Sequence, residues 1–368
     1  MAPAKTEVLV VDQPALHSKT VATEEVTPLP DLAPPLLPTE KIGPMGWIRS
    51  LLHFELGENY NAEEITSILK RAYSAFKERT PIAGCEAVPT AEYLETGLLQ
   101  LRHYGDEIEH DFLVKDFRDD DFPSFEELKR RGYPTSVLDP DVVCQRGLGG
   151  EWPCAGDRLN TTMVQLNFIK GGLLLNVLFL HAYIDGTTAY KFTEIFAEEV
   201  RKAQGLPITN PAEIPCDDRA KLMKPSDTIV GKPEDHPDLA DIALVVRGAV
   251  NKSKDTYLAT ISSLVDGLGN VSRLIPAIFL DMPGNHALFS SWREFPFYDI
   301  QWGPALGDRI KAIRPPSVGV THSMHIILPD RPEAGPGVEV FVGTENSAME
   351  SLLENPLWRK YAQGPEKA

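Results

Sequence analysis

The chain is 368 residues long and 42% apolar, with 36 basic against 53 acidic side chains and a formal net charge of -17. This length exceeds one typical core, so two domains or one large α/β unit are expected. The acidic excess repels phosphate backbones and anionic lipid surfaces, which argues against nucleic acid or a membrane as partner.

In chain order, MAPAKTEVLVVDQ holds no apolar core of signal-peptide length, and the longest apolar run, near Leu173 to Leu180, is far short of a membrane span; a cytoplasmic protein is expected. Residues 1–46 include the proline-rich stretch TPLPDLAPPLLPTEKIGPM, which cannot be helix and reads as an extended lead-in. WIRSLLHFEL (Trp47 to Leu56) predicts a strand. NAEEITSILKRAYSAFKERTP predicts a helix, because Ile65, Ile68, Leu69, Ala72 and Phe76 recur at helical spacing behind Asn61 as cap. LLQLRHY and HDFLVKDFRDD continue a strand-rich pattern. FPSFEELKRRGYP predicts one short helix ended by Pro134, and a loop rich in Gly, Pro and Asp runs on to Asp157. MVQLNFI and LLLNVLFLH alternate about a KGG turn, which predicts a buried hairpin whose second strand ends in His181 on the face of Leu175, Val177 and Phe179.

Thr187 to Gln204 predicts a helix burying Phe192, Ile195, Phe196 and Val200. After a linker over 211–240, the stretch Asp241 to Gly269 reads as helical, and HSMHIILPD and GVEVFVGTE read as strands. NSAMESLLENPLWRKYAQ reads as one closing helix, with Ser347 and Glu350 as capping box and Met349, Leu352, Leu353, Trp358 and Tyr361 on its core side. Cys85, Cys144, Cys154 and Cys216 are scattered, so buried free thiols are expected rather than a zinc site or a disulfide framework.

The stretch HAYIDGTTAY, His181 to Tyr190, admits two readings. In one, Asp185 is a plain N-cap and His181 a satisfied core histidine. In the other, the strand end delivers an imidazole into an interior channel while Asp185 folds back beneath it.

Its surroundings weigh on the choice. The HxxxDG pattern, together with LVKDFRDD, ELKRRGYP, LDPDVV, VQLNFIKGGLLLNV, FSSW and FYDIQWGPALG, resembles the acyl-CoA-dependent acyltransferases of the BAHD-like superfamily, and among them the fungal trichothecene 3-O-acetyltransferase-like proteins. DIQWG, Asp299 to Gly303, stands where that family carries DFGWG. The resemblance implies a two-domain α/β fold of the chloramphenicol-acetyltransferase-like type, with mixed sheets and flanking helices. Residues 47–210 are then the domain carrying HxxxDG, and 241–368 an abbreviated second domain carrying the DFGWG-like motif.

The implied activity is O-acyl transfer, most simply acetyl transfer, from acyl-CoA to a hydroxyl of a secondary metabolite. The protein is expected to act as a monomer with acyl-CoA as co-substrate, no permanently bound cofactor and no metal. His181 is implied as general base, since an imidazole titrating near ~6.5 can take the proton of the attacking alcohol and return it to the departing thiol. Asp185 is implied as an anchor paired with an arginine, and Gly186 as the residue that lets the corner turn tightly. Ser290 and Trp292 are implied as donors near the oxyanion, and Asp299, Trp302 and Gly303 as a structural motif. The basic cluster Arg309, Lys311 and Arg314 stands out in an acidic chain and either meets the phosphates of coenzyme A or is a solvated loop. Between Gly186 and Asp299 the chain is shorter than the family pattern and lacks the segment that supplies the aspartate's arginine, for which Arg219 and Arg247 are the remaining candidates. The alternative function is therefore a catalytically impaired or non-catalytic truncated relative acting as a binding protein.

Overall fold

The computed structural model describes residues 46–90, 96–104, 111–146, 159–214, 265, 267–271, 288–316, 324–335, 337–344 and 346–362. The lead-in, most of the 211–240 linker, most of the 241–269 stretch, Cys154, Cys216, Arg219, Arg247 and His322 lie outside them. Two compact units divide the chain. The first comprises Met45–Ala87, Leu101–Pro215 and Ile275–Ala368; the second comprises Met1–Pro44, Val88–Gln100 and Cys216–Leu274. In the second, the described backbone is tied by Thr90 N–H to Leu98 O and Val271 N–H to Thr96 O.

The strands are β1 (Trp47–Glu55), β2 (Cys85–Pro89), β3 (Leu99–His103), β4 (Phe112–Asp116), β5 (Leu159–Asn160), β6 (Thr162–Ile169), β7 (Gly172–Leu180), β8 (Leu288–Ser291), β9 (Ala312–Arg314), β10 (Met324–Ile327) and β11 (Val340–Gly343). The helices are α1 (Ala62–Arg79), α2 (Phe125–Arg130), α3 (Pro140–Val143), α4 (Gly186–Ala203), α5 (Asn346–Glu354) and α6 (Pro356–Tyr361). The main sheet has five strands in the order β4-β6-β7-β1-β9. It is mixed: β4 runs parallel to β6, and the other pairs are antiparallel. Two three-stranded sheets, β11-β10-β8 and β3-β2-β5, complete the set. The architecture is α/β, with helices flanking mixed sheets. Strand β9 comes from the stretch that the sequence assigns to a second domain, yet it pairs with β1 through Leu52 opposite Ile313.

One face of the main sheet is covered by α1 and α4. Asn61 caps α1, its Oδ1 accepting from Glu64 N at 3.1 Å, and the apolar stripe anticipated in the sequence is buried. Phe76 meets Phe192 edge-on at 5.7 Å, and Phe192 in turn meets Phe179 of β7 at 6.0 Å. Arg79 bridges the two helices through Glu198 and Glu199 at 2.6 and 2.9 Å. Beside them, Lys77 Nζ lies 2.5 Å from the fully buried carboxylate of Asp111, which also accepts from Tyr73 and Tyr104.

The other face is covered by residues 125–144, whose Phe125, Leu128, Tyr133, Leu138, Val143 and Cys144 form a core with Leu51, Ile169, Leu174 and Ala312. The alternation in β6 and β7 therefore does not separate a wet face from a dry one: every residue of both strands is buried. The polar positions Gln165 and Asn167 are placed by a helix end. Helix α3 is a single turn, so its last carbonyls have no partner within the helix. Gln165 and Lys115 donate to Val142 O at 2.8 and 2.6 Å, and Asn167 donates to Val143 O at 3.0 Å. Gly172 is required where β1 and α2 converge, because a Cβ there would lie 2.7 Å from Phe54 O and 2.4 Å from Phe125 Cδ2.

The C-terminal helix departs from expectation. It is two helices, because Asn355 ends the first and caps the second, its Oδ1 accepting from Leu357 N at 2.9 Å ahead of Pro356. Ser347 lies inside α5 rather than at its cap, and Leu353 and Tyr361 are exposed rather than core.

His53 on β1 is fully buried beside Tyr133, with Nδ1 3.1 Å from Leu51 O and Nε2 without a partner among the described residues. Burial and, secondarily, the charge of Arg314 lower its pKa to about 3. Unfolded chains bind a proton at this imidazole below about pH 6.5 while the folded protein does not, so stability is retained above that pH and lost as pH falls toward 3. Urea titrations from pH 7 to 4 are expected to show an acid limb of roughly 1.4 kcal/mol per pH unit from this group, flattened by about that amount in His53→Gln. An unchanged slope in the variant means that His53 is not the source.

Candidate active site

The corner that carries HxxxDG is built from the end of β7. The strand stops at Leu180, one residue before the histidine, so His181 opens the turn rather than ending the strand. Its backbone N–H donates to Gly46 O at 2.8 Å, and Tyr183 and Ile184 return their N–H groups to Leu180 O at 3.1 and 3.0 Å. Ala182, Tyr183 and Ile184 are buried, and this anchors the turn. His181 itself is exposed. Neither sequence reading holds whole: the imidazole is not a core histidine, and it stands at the surface of the described structure.

Asp185 is the N-cap of α4. Its Oδ1 accepts from Thr188 N at 2.8 Å while its own carbonyl accepts from Ala189 N at 2.8 Å. It has no ion-pair partner among the described residues. Gly186 is the first residue of α4 and does not use the left-handed region. A Cβ there would make ordinary contact with Phe295 at 3.5 Å, so the tight turn expected of Gly186 is made by residues 181–184 instead. Against this first turn of α4 lie Trp292, Phe295 and Phe297, enclosing with Ile48, Ser50, Gly186 and Ala189 a space of about 10 Å³, enough for about one water molecule. Phe295 stacks on Tyr190 at 5.6 Å. Trp292 is thus brought to the corner, its backbone N–H fixed on Ile327 O at 2.8 Å. Ser290 is not: it lies exposed on β8, opposite Ile326.

The DIQWG stretch sits at the other end of α4. Trp302 is buried between Phe54 and Phe196, edge-on to both at 5.2 and 5.8 Å. Gly303 has φ +87° and leaves no room for a Cβ, which would fall 2.6 Å from Gln204 Nε2. The Gln204 amide explains this closeness, since Nε2 donates to Trp302 O at 2.7 Å and Oε1 accepts from Ala305 N at 2.9 Å. Gln301, which departs from the family pattern, accepts from Arg201 of α4 at 2.6 Å. Asp299 is exposed and faces Arg309 at 3.4 Å. Gln204 and Arg201 were not singled out in the sequence; their position in the last turn of a helix gave no signal of a contact about a hundred residues away.

The basic cluster is dispersed among carboxylates. Arg309 pairs with Asp299, and Lys311 with Glu333 at 3.3 Å and Glu55 at 3.9 Å. Arg314 is buried on β9, where it donates to Tyr133 O and Gly132 O and pairs with Glu339 at 3.1 Å. No group of three His, Cys, Asp or Glu residues suited to a metal occurs among the described residues.

Residues 47–199 match the family described as the trichothecene 3-O-acetyltransferase-like N-terminal domain. This segment is similar to that domain. The match covers β1 through most of α4 and contains the whole HxxxDG corner. The likeness to individual curated proteins is more partial. The chain is 41% identical over 78 residues to trichothecene 3-O-acetyltransferase of Fusarium sporotrichioides, covering 20% of this chain and 17% of the relative. It is 27% identical over 123 residues to an O-acetyltransferase of Penicillium ochrochloron, covering 33% and 23%. An enoyl-CoA isomerase/hydratase of Penicillium crustosum is 26% identical over 235 residues, or 62% of this chain and 26% of that protein. The chain spans about a quarter or less of the length of these relatives. Among solved structures, the F. sporotrichioides trichothecene acetyltransferase complexed with coenzyme A and T-2 superposes with a TM-score of 0.67 at 18% identity, covering 89% of this chain and 98% of that one. Vinorine synthase follows at 0.52 and 13%, covering 88% and 93%. The trichothecene-acetyltransferase-like fold is thereby shared.

The cap in this domain is separable from its charge. Asp185→Ala is expected to lower stability by about 1 kcal/mol and Asp185→Asn by much less, because either Asp or Asn can accept from Thr188 N. Equal losses in thermal melts of the two variants would remove the cap as the reason for this aspartate.

Proposed function

We propose that the protein is an acyl-CoA-dependent O-acyltransferase, most simply an acetyltransferase, that acts as a cytoplasmic monomer on a hydroxyl of a secondary metabolite. The observation that carries this reading is the family match over 47–199, which spans the corner placing His181 between β7 and the capped start of α4.

In the proposed reaction the imidazole of His181 takes the acceptor's hydroxyl proton as its oxygen attacks the thioester carbonyl. The tetrahedral oxyanion calls for donors; the Trp292 indole, packed against the first turn of α4, is the nearer candidate, and Ser290 requires approach from the exposed face of β8. Collapse breaks the C–S bond, and the departing sulfur recovers the proton from the imidazolium, leaving an ester and free coenzyme A. Asp185 holds the corner. Trp302 and Gly303 pin the far end of α4 and touch no reacting atom. Arg309 and Lys311 reach coenzyme A phosphates only by exchanging their present carboxylates, and Arg314 is committed to Glu339.

A second reading, a relative with weak or no turnover, is favoured by one observation: His181 is exposed. A base in open solvent lacks the electrostatic advantage of an enclosed site. Release of free thiol from acetyl-CoA, corrected for hydrolysis and measured over hydroxylated terpenoids and polyketides, tests both. His181→Ala is expected to lower transfer by roughly 10²–10⁴-fold with the fold intact; equal rates would dispose of the mechanism. The unmodified chain is expected to turn over weakly and to gain activity when the homologous segment of a close relative is inserted near Asp238. Robust, saturable transfer without the insertion would rule out the second reading.

A further inference from the structure

The small space against the first turn of α4 is lined by one polar side chain that no motif includes, Ser50 of β1. Ser50 is 5% exposed, and its carbonyl accepts from Asn176 Nδ2 at 3.2 Å, but its hydroxyl has no hydrogen-bond partner among the described residues. His53 Nε2 and Asn176 Oδ1 are unpaired and sealed from solvent; the Ser50 hydroxyl is unpaired and keeps accessible surface. The indole N–H of Trp292, another lining residue, is in the same condition. Ile48, Gly186 and Phe295 are half-buried, so the space opens to solvent along them.

Size and hydrogen-bond sense limit what can occupy it. About 10 Å³ holds a single oxygen atom with its hydrogens. A hydroxyl can donate, and an indole N–H can only donate, so the occupant must accept. An ammonium ion would meet the indole N–H with no counter-charge, since the neighbouring carboxylate, Asp185, accepts from Thr188 N and does not line the space. A carboxylate or phosphate needs more room than one oxygen. Ala189, Phe295 and Phe297 make the remaining walls apolar, which strengthens a hydrogen bond formed inside. A carbonyl oxygen meets all of these conditions.

The space also lies close to the motif histidine. Ile48 stands opposite Phe179, two residues before His181, on the sheet face that α4 covers. Gly46, whose carbonyl receives the His181 N–H, is two strand residues from Ile48, about 7 Å, an interval that an imidazole and one reacting carbon can fill. We infer that Ser50 is a catalytic residue of the proposed acyl transfer, holding the thioester carbonyl oxygen in this space together with the Trp292 indole. The inference rests on the acyl-transfer reading. As the acceptor oxygen bonds to the carbonyl carbon, the C=O π pair moves onto the carbonyl oxygen, and both donors then face an anion. Ser50 keeps its proton throughout. When the pair returns, the C–S bond breaks and the sulfur takes the proton held on His181.

Acetyl-CoA isotope-labelled at its acetyl carbonyl, added to the full chain, tests the assignment by difference infrared spectroscopy, with binding measured by equilibrium dialysis. The carbonyl stretch of the bound thioester is expected to lie below that of free acetyl-CoA and to move back toward it in Ser50→Ala. That variant loses no hydrogen bond of the folded protein, so it is expected to melt no lower than the unmodified chain. In the thiol-release assay it is expected to lower kcat by roughly 10²-fold, the effect of removing one oxyanion donor, with little change in KM. Gly186→Ala keeps both donors but sets a methyl 3.5 Å from Phe295 at the wall of the space, and it is expected to remove the infrared shift as well. No binding of acetyl-CoA would overturn this inference and the acyl-transfer reading together. Binding with an unshifted band, or a shift that survives Ser50→Ala or Gly186→Ala, would overturn the role of Ser50 alone.

Discussion

The burial of β6 and β7 on both faces is the constraint from which the rest of the described structure follows. Covering layers on both faces leave the strand ends as the places where the chain returns to the surface. Leu180 is the last residue held by the ladder, and the next residue is His181. The same double burial explains the covering layers: α1 and α4 supply aromatic rings to one face, and the short elements between Phe125 and Cys144 close the other. Neither layer is sufficient alone. Gly172 marks how close they come, since β1 backbone and the Phe125 ring together occupy the position a Cβ would need.

Double burial also creates an electrostatic problem, because the alternating pattern leaves Gln165, Asn167, Asn176, Arg49 and His53 inside. Gln165 and Asn167 donate to backbone carbonyls, the final ones of the one-turn helix α3 and that of Leu174. His53 is handled differently: it stays neutral because burial opposes its protonation and Arg314 adds to that opposition. Arg314 in turn needs Glu339, which ties β9 to the segment ahead of β11. A basic residue that looks available in the sequence is thus consumed by the need to neutralise charge within the sheet.

How much of this was legible in the chain depends on whether the cause was local. The α1 stripe behind Asn61 and the KGG hairpin were readable, because capping and periodicity act over a few residues. HxxxDG and the DFGWG-like motif were readable as a resemblance to a family, and the match over 47–199 agrees with that family, while Asp299 to Gly303 lie beyond the match. Most places where the reading failed have distant causes. The break at Asn355 depends on a local cap that outcompetes a longer helix, but the exposure of Leu353 and Tyr361 depends on what does not pack against them. The burial of Arg314 depends on Tyr133 and Gly132, far away in the chain. His181 shifted by one residue out of its strand because the partner strand β1 begins at Trp47, and Gly46 offers only a single carbonyl to close the ladder.

The corner itself separates two requirements that the family resemblance joins together. Positioning is met locally: three buried residues, two N–H bonds to Leu180 O and the cap on Thr188 fix the direction of the chain from β7 into α4. None of these involves an arginine, and the cap occupies one carboxylate oxygen of Asp185, leaving the other able to accept from a cation. The cap thus holds the corner without an arginine from among the described residues. Enclosure is the other requirement, and it is not local. An imidazole at the surface is aimed but not desolvated, and the small space walled by Trp292, Phe295 and Phe297 adjoins the start of α4 without covering His181. The backbone that presents the imidazole is thus fixed by the described residues, and its enclosure is not.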